Sequence, residues 1–185
     1  GIEWVGETLY VVNSSGTLFG IAGAETDSQE VSDFQTFLTE DYDIEGLGYD
    51  KERHSLLLVC KEHPEGHDDR FVFSFDLNSM KLQTEPIFRL NQDSIQALAP
   101  EKTRTFRPSG IARHPFSGDY YILSAASDRL LVMNSDGIPT HLVHLPKKRY
   151  NQPEGICFAQ DGTLYISDEG NKNKAASIKV FFPKD

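Results

Sequence analysis

Acidic residues stand at two matching positions of a repeated pattern, and their types suit a hard cation. Glu45 and Glu154 each precede a glycine and an apolar residue. Glu62 and the pair Asp168-Glu169 each follow the next apolar run. If the two positions lie together, the carboxylates repel one another and are costly to bury unless a cation neutralises them. Calcium suits such a place because it takes several oxygen ligands at once.

We therefore predict a divalent cation, most readily calcium, near Glu45 and Glu154. Glu62 and Glu169 would lie in or near its coordination shell. The alternative is that each glutamate accepts hydrogen bonds from backbone N–H groups at a tight inner turn. Both interpretations stay open, and the hydrogen-bonding role is slightly favoured for Glu62 and Glu169. Asp168 is a further candidate for ligand binding.

The segment 61–69 is dense in groups that bind ligands, among them His63 and His67. The two histidines are four positions apart, but Pro64 and Gly66 exclude a helical zinc pair. We predict a solvated acidic loop here. Ligand binding by His63 is the alternative interpretation.

A small basic cluster interrupts an otherwise acidic chain. Lys102, Arg104 and Arg107 lie close together in a protein of net charge −10. Arg107 is therefore a candidate for binding an anionic ligand or substrate. The favoured alternative is that the cluster balances the charges of Glu45 and Glu62.

The elements that must position these residues follow from a repeat. The pattern occurs in full at 43–47, 107–111 and 152–156, and Gly1-Ile2 resembles the end of another copy. The anchor glycines stand at positions 1, 46, 110 and 155, so the first and last intervals are equal. A period of about 45 residues with several short strands is typical of a β-propeller. The middle interval is longer and predicts an inserted loop.

We predict an all-β fold with four-stranded antiparallel blades, of which about four are present as one propeller domain or fragment over 1–185. The blade repeats are 1–42, 43–90, 108–150 and 151–185, and the inserted loop is 91–107. A short helix within 92–102 is possible. In such a blade the first strand lines the central channel and the second runs antiparallel beside it. The start of strand one and the end of strand two then share the channel mouth, where the acidic residues would gather.

The motifs resemble those of the SdiA-regulated family of bacterial β-propellers, which are related to phytase-like and gluconolactonase-like propellers. The resemblance covers nearly the whole chain and rests on these stretches: Asp43-Ile44-Glu45-Gly46-Leu47 with Leu57-Leu58-Val59-Cys60-Lys61-Glu62; Phe106-Arg107-Pro108-Ser109-Gly110-Ile111-Ala112; and Gln152-Pro153-Glu154-Gly155-Ile156 with Tyr165-Ile166-Ser167-Asp168-Glu169-Gly170. The family resemblance implies a six-bladed ring, with about two blades outside this piece on the N-terminal side. It also implies a location in the cell envelope, periplasmic or lipid-anchored.

Net charge, hydropathy and cysteine content limit the classes of function that the chain can have. The net charge argues against nucleic acid as a partner, because phosphate binding needs a basic face. No apolar run has the length of a membrane span. The two cysteines, Cys60 and Cys157, lie in apolar strand patterns and are predicted to be buried thiols.

Two functional hypotheses remain open. The favoured one is a ligand-binding propeller with a calcium ion at the channel mouth and a small-molecule or anionic ligand. The alternative is a metal-dependent hydrolase of the phosphoester or lactone type, in which metal-bound water attacks. Ser109 stands where the other two full copies have a glutamate, which leaves fewer acidic ligands for such an enzyme.

Overall fold

A computed structural model describes residues 1–99, 101–172 and 174–183. These residues form four small antiparallel sheets, and within each sheet consecutive strands are neighbours. One short helix, α1 (Gln92–Gln96), lies inside the predicted insertion. The predicted all-β fold class with antiparallel propeller blades is confirmed.

The first two sheets come from the N-terminal half of the chain. The first contains β1 (Ile2–Val5), β2 (Thr8–Val12), β3 (Leu18–Ala22) and β4 (Glu30–Phe34). The second contains β5 (Ile44–Asp50), β6 (Ser55–Cys60), β7 (Arg70–Asp76) and β8 (Lys81–Leu82), and β9 (Phe88–Leu90) also pairs with β7.

The last two sheets follow the helix. The third contains β10 (Gly110–Arg113), β11 (Tyr120–Ser124), β12 (Arg129–Met133) and β13 (Pro139–His144). The fourth contains β14 (Pro153–Phe158), β15 (Leu164–Asp168) and β16 (Ser177–Phe181).

Tight turns with an Asp-Gly pair join the strands at two places. Gly137 has a φ of 80° and Gly162 a φ of 84°, a region that side chains with a Cβ rarely enter. The amide of Gly137 donates to the carbonyl of Asn134 at 2.9 Å, and that of Gly162 to Ala159 at 3.0 Å. Glycine therefore allows each chain reversal to be short.

The chain divides into two compact units, unit 1 (Gly1–Arg89) and unit 2 (Leu90–Asp185). In unit 1 an apolar cluster joins the first and second sheets, and its members include Leu18, Leu56, Leu58 and Phe75. In unit 2 a second cluster joins the third and fourth sheets and comprises the buried residues Leu123, Leu130, Leu145, Tyr150 and Ile166. Each unit is thus stabilised by two sheets packed face to face.

The two cysteines differ in environment. Cys60 is buried as predicted, and burial raises the pKa of its thiol to about 12. Cys157 is exposed, so the prediction of a second buried thiol was wrong. The reason is strand alternation, because Ile156 points to the third sheet and Cys157 to the opposite face of β14.

We expect Cys60 to be chemically silent in the folded protein. In a Cys157→Ser variant, Ellman's reagent at mildly alkaline pH should modify almost no thiol, because little thiolate forms at a pKa near 12. Unfolding the same variant in urea should release one reactive thiol per chain. Rapid modification without urea would contradict the buried, protonated state.

Candidate functional site

Antiparallel pairing brings the predicted positions together inside each sheet. At the start of β5, Ile44 pairs with Cys60 at the end of β6. In the fourth sheet Pro153 pairs in the same way with Asp168. Within these two sheets the start of the first strand therefore adjoins the end of the second, as predicted.

Glu45 and Glu154 each occupy an irregularity of the first strand. The pairing register shifts between Ile44 and Gly46 in β5, and between Pro153 and Gly155 in β14. Each glutamate is thus the extra residue of a β-bulge, a device that re-aims a side chain and is common beside functional sites. Both residues are candidates from the sequence, whereas the bulges were not predicted.

Glu45 has a cationic partner in its own sheet. Its Oε1 accepts a hydrogen bond of 2.6 Å from Nζ of Lys61, which also lies 3.4 Å from Oδ2 of Asp43. Burial by itself lowers the pKa of Lys61, but Glu45 and Asp43 outweigh burial and raise it above the ordinary value. Lys61 is therefore a protonated counter-ion for two carboxylates.

Arg70, at the start of β7, organises the acidic loop that precedes it. Its guanidinium is buried and donates to the carbonyls of His67 at 2.7 Å and Asp69 at 2.9 Å. It also donates to the carbonyls of Lys61 and Asp68. Sequence reasoning missed this residue, although an arginine beginning an apolar strand after an acidic loop was a usable signal.

The same guanidinium neutralises Glu62. Nη2 of Arg70 lies 3.2 Å from Oε2 of Glu62, whose side chain is one-third exposed. Glu62 therefore joins the arginine network rather than standing alone.

His63 belongs to an aromatic cluster in this loop. Its ring centroid lies 4.9 Å from that of His67 and 4.8 Å from that of Phe71. Burial, followed by the neighbouring His67, lowers the pKa of His63. His63 is thus favoured in its neutral form by its surroundings.

In unit 2 the side chain of Ser109 forms a hydrogen bond between the third and fourth sheets. It is buried, and its hydroxyl donates to the carbonyl of Pro153 at 2.9 Å. A Cβ on the adjacent Gly110 would lie only 2.7 Å from the carbonyl oxygen of Glu154. The starts of β10 and β14 are therefore in close contact, and a hydroxyl at position 109 serves that contact.

Glu154 and Asp168 have different surroundings at this junction. Oε1 of Glu154 accepts from Nε2 of Gln152 at 2.9 Å. Asp168 is buried and forms an ion pair with Lys179 through Oδ2. Among the described residues, Oδ1 of Asp168 is the buried side-chain atom that lacks a hydrogen-bond partner. Such an atom is costly to bury alone and marks a place for a water or a cation.

Glu169 follows directly and is exposed. Its backbone amide donates to the carbonyl of Gln152 at 2.9 Å, and its carbonyl accepts from Nδ2 of Asn151 at 3.2 Å. Its main chain is therefore fixed to the segment preceding β14.

Two glutamines of α1 bind the backbone of residues 101, 103 and 106, farther along the insertion. The Gln92 side chain donates to the carbonyl of Phe106 at 3.0 Å and accepts from its amide at 2.8 Å. The Gln96 side chain accepts from the amide of Thr103 at 2.8 Å and donates to the carbonyl of Glu101 at 2.9 Å. Each glutamine side chain thus donates one hydrogen bond to the backbone and accepts one from it, as a neighbouring strand would.

Two arginines of this segment border a cavity of about 260 Å³, which is lined by Arg104, Thr105, Arg107 and Ala126. Nη1 of Arg104 lies 3.4 Å from the carbonyl oxygen of Ala126. The amide of Arg107 donates to Oγ of Ser124 at 3.1 Å, and this hydroxyl also bonds to Ser127 at 2.8 Å. The cavity therefore has a positive lining on a fixed backbone.

Within residues 1–99, 101–172 and 174–183, no three histidine, cysteine or acidic side chains converge closely enough to hold a metal ion. Across the same residues, no helix combines the length and apolar character needed to cross a membrane.

Comparisons with known proteins agree with the fold. The sequence profile of the SdiA-regulated family matches residues 2–173. No curated protein sequence matches the chain. A structure of a nidogen/laminin complex aligns with 95% of this chain and 57% of its own, at 17% identity and a TM-score of 0.58.

Two further structures are similar. A candidate 6-phosphogluconolactonase from Bacteroides uniformis aligns with 99% of this chain and 52% of its own, at 13% identity and a TM-score of 0.56. The calcium-binding protein regucalcin from Agrobacterium tumefaciens aligns with 93% of this chain and 56% of its own, at 10% identity and a TM-score of 0.55. The chain therefore spans little more than half the length of these structures, and the likeness concerns the fold.

We expect Arg70→Ala to loosen the acidic loop. The substitution leaves several carbonyls and Glu62 without their shared donor, so it should lower the free energy of unfolding by about 2 to 4 kcal/mol. Urea denaturation measures this loss, and amide hydrogen exchange should become faster at 61–69. As the control, Arg89→Ala removes an exposed guanidinium 4.0 Å from Asp69 and should cost less than about 1 kcal/mol. Equal effects of both substitutions would contradict the role of Arg70.

Proposed function

Because the chain belongs to the SdiA-regulated family, we propose that it is a ligand-binding β-propeller that holds a small anion beside Arg104 and Arg107. The observation that carries this proposal is the cavity of about 260 Å³ with both side chains in its lining. Guanidinium groups suit carboxylates and phosphates because their planar N–H groups can donate in pairs.

Charge makes this cavity distinctive. The protein carries a net charge of −10, so an anion is repelled from most of its surface. By contrast, Glu45, Glu62 and Asp168 each have a cationic partner in their own unit. A site with two arginines on this background favours anions of small size, since the cavity is at the lower end of the usual range for ligand pockets.

Preorganisation supports the same proposal. Gln92 holds Phe106, and Ser124 holds the amide of Arg107, so the backbone around the arginines is already ordered. A ligand that binds a preordered segment avoids much of the entropy cost of fixing it. The alternative interpretation, that the basic cluster balances the charges of Glu45 and Glu62, stays a prediction.

Inorganic phosphate is a suitable first probe of this site. Calorimetric titration at constant ionic strength should show binding to the native chain. Arg104→Ala and Arg107→Ala should each weaken it at least about tenfold, because a hydrogen bond to a charged group contributes ~1.5–3 kcal/mol. Arg149→Ala, which removes an exposed arginine in the same unit, should leave it unchanged.

Two results would contradict the anion site. One is the absence of binding heat for phosphate and for a dicarboxylate such as malonate. The other is an equal loss of affinity with Arg149→Ala, which would indicate attraction by general charge rather than by a defined cavity.

A calcium ion is a second candidate ligand, and two observations favour it in unit 2. Glu154 is re-aimed by its bulge, and Oδ1 of Asp168 is buried without a partner near the same strand start. An oxygen ligand left unsatisfied in this way is suited to a hard cation. In either unit calcium would have to compete with a resident cation, which is Lys61 or Arg70 in unit 1 and Lys179 in unit 2.

Titration of calcium into metal-free protein tests this second candidate. We expect heat of binding and a raised melting temperature, both reduced in Glu154→Gln and unchanged in the exposed control Glu7→Gln. No heat and no thermal shift would exclude the cation. Calcium-dependent turnover of aryl phosphates or lactones that is lost in Glu154→Gln would instead support the hydrolase alternative.

Location in the cell envelope is part of the proposal and has the family resemblance as its support. An extracytoplasmic ligand-binding propeller would meet small anions and calcium from the surroundings of the cell.

A further inference from the structure

Strand register identifies matching positions in the second, third and fourth sheets. In each of them a glycine of the first strand pairs with a residue near the end of the second strand: Gly46 with Val59, Gly110 with Leu123, and Gly155 with Ser167. Three positions can therefore be compared, namely the residue before the glycine and the two residues after its partner. All three lie at the same end of the sheet, because the two strands are antiparallel.

The third and fourth sheets differ in charge at these positions. The fourth sheet has a carboxylate at all three: Glu154, Asp168 and Glu169. The second sheet has one carboxylate and one cation: Glu45, Cys60 and Lys61. The third sheet has neutral residues throughout: Ser109, Ser124 and Ala125. Small uncharged side chains thus stand in the third sheet where its neighbour in unit 2 carries negative charge.

The three neutral residues adjoin the arginine-lined cavity of the same unit. Ser124 is fully buried, and its Oγ accepts from the amide of Arg107 at 3.1 Å. Oγ of Ser109 accepts from the amide of Ala125 at 3.4 Å. Ala125 directly precedes Ala126, which lines the cavity. A carboxylate at any of the three positions would therefore stand beside the cavity wall.

A negative charge at this place would oppose the binding of an anion. Two unit charges about 10 Å apart, at an effective dielectric constant of about 20, change an equilibrium constant more than tenfold. A carboxylate would also compete with a ligand for a guanidinium group, as the ion pair of Glu62 and Arg70 at 3.2 Å illustrates in the second sheet. A serine hydroxyl keeps its hydrogen bonds to the backbone and adds no charge.

We propose that Ser109, Ser124 and Ala125 determine the specificity of the anion site. Their neutrality admits a negatively charged ligand beside Arg104 and Arg107, whereas carboxylates at the matching positions would repel it. The inference rests on the anion site proposed above, and it adds the feature that sets the sign of the ligand's charge.

Calorimetric titration with inorganic phosphate tests the inference in two matched pairs of variants. Ala125→Asp and Ser124→Asp should each bind phosphate at least about tenfold more weakly than Ala125→Asn and Ser124→Asn, which have nearly the same shape without the charge. Circular dichroism checks that each variant is folded. Ala125 is half-buried, so its pair tests the effect of charge even where a larger side chain at the buried Ser124 prevents folding.

A charge added far from the cavity provides the control. Ile138→Asp places the same charge in the exposed turn between β12 and β13, at the other end of the third sheet. It should leave phosphate binding unchanged. Added salt should narrow the difference between the aspartate and asparagine variants, because it screens the repulsion between charges.

The outcomes separate this inference from the anion site itself. Equal affinities of the aspartate and asparagine variants would overturn the inference, since shape and not charge would then set the affinity. If Arg104→Ala and Arg107→Ala weaken binding in the same experiments, the anion site stands and the specificity role alone fails. A native chain that binds neither phosphate nor malonate contradicts the anion site, and the inference with it.

Discussion

The pairing of the first two strands in a sheet is the constraint on which the rest of this structure depends. Every residue of β6 is buried, so its register with β5 cannot slip without moving apolar side chains to the wrong face. That register fixes the end of β6 beside the start of β5, and the same holds for β15 and β14. Strand pairing therefore brings Lys61 close to Glu45 and places Asp168 beside Pro153.

In an acidic protein the carboxylates repel one another, and in this chain several of them pair with cationic side chains close by. Asp50 is fully buried, and its Oδ2 lies 2.8 Å from Nη1 of Arg53. Glu45 and Glu62 have Lys61 and Arg70 within their own unit. Local pairing keeps the cost of burying charge small, since each carboxylate retains a counter-ion when water is removed.

Much of the fold could be predicted because its signals are local. The repeated glycine and apolar residue and the apolar runs that follow them are each visible in a few neighbouring residues. The bulges at Glu45 and Glu154 could not be predicted, because a one-residue register shift depends on the partner strand. The exposure of Cys157 was missed for a related reason, since an apolar strand does not reveal which of its faces is covered.

Of the candidate site, residue types were predictable and partners were not. Arg107 was selected for its charge, whereas Gln92 and Gln96, which hold the segment around it, have no distinctive sequence pattern. The association of Glu45 with Lys61 spans 16 positions and arises only once the strands pair. Whether further blades complete a six-bladed ring stays a prediction.

Arg70 has a consequence that extends beyond the stability of its loop. Backbone carbonyl oxygens and one carboxylate converge on its guanidinium, an oxygen-rich shell of the kind that elsewhere surrounds a metal ion. Here the positive charge is tethered to the chain by its own side chain. The presence of this charge therefore does not depend on the concentration of a metal ion, and a chelator cannot remove it as it would empty a metal site.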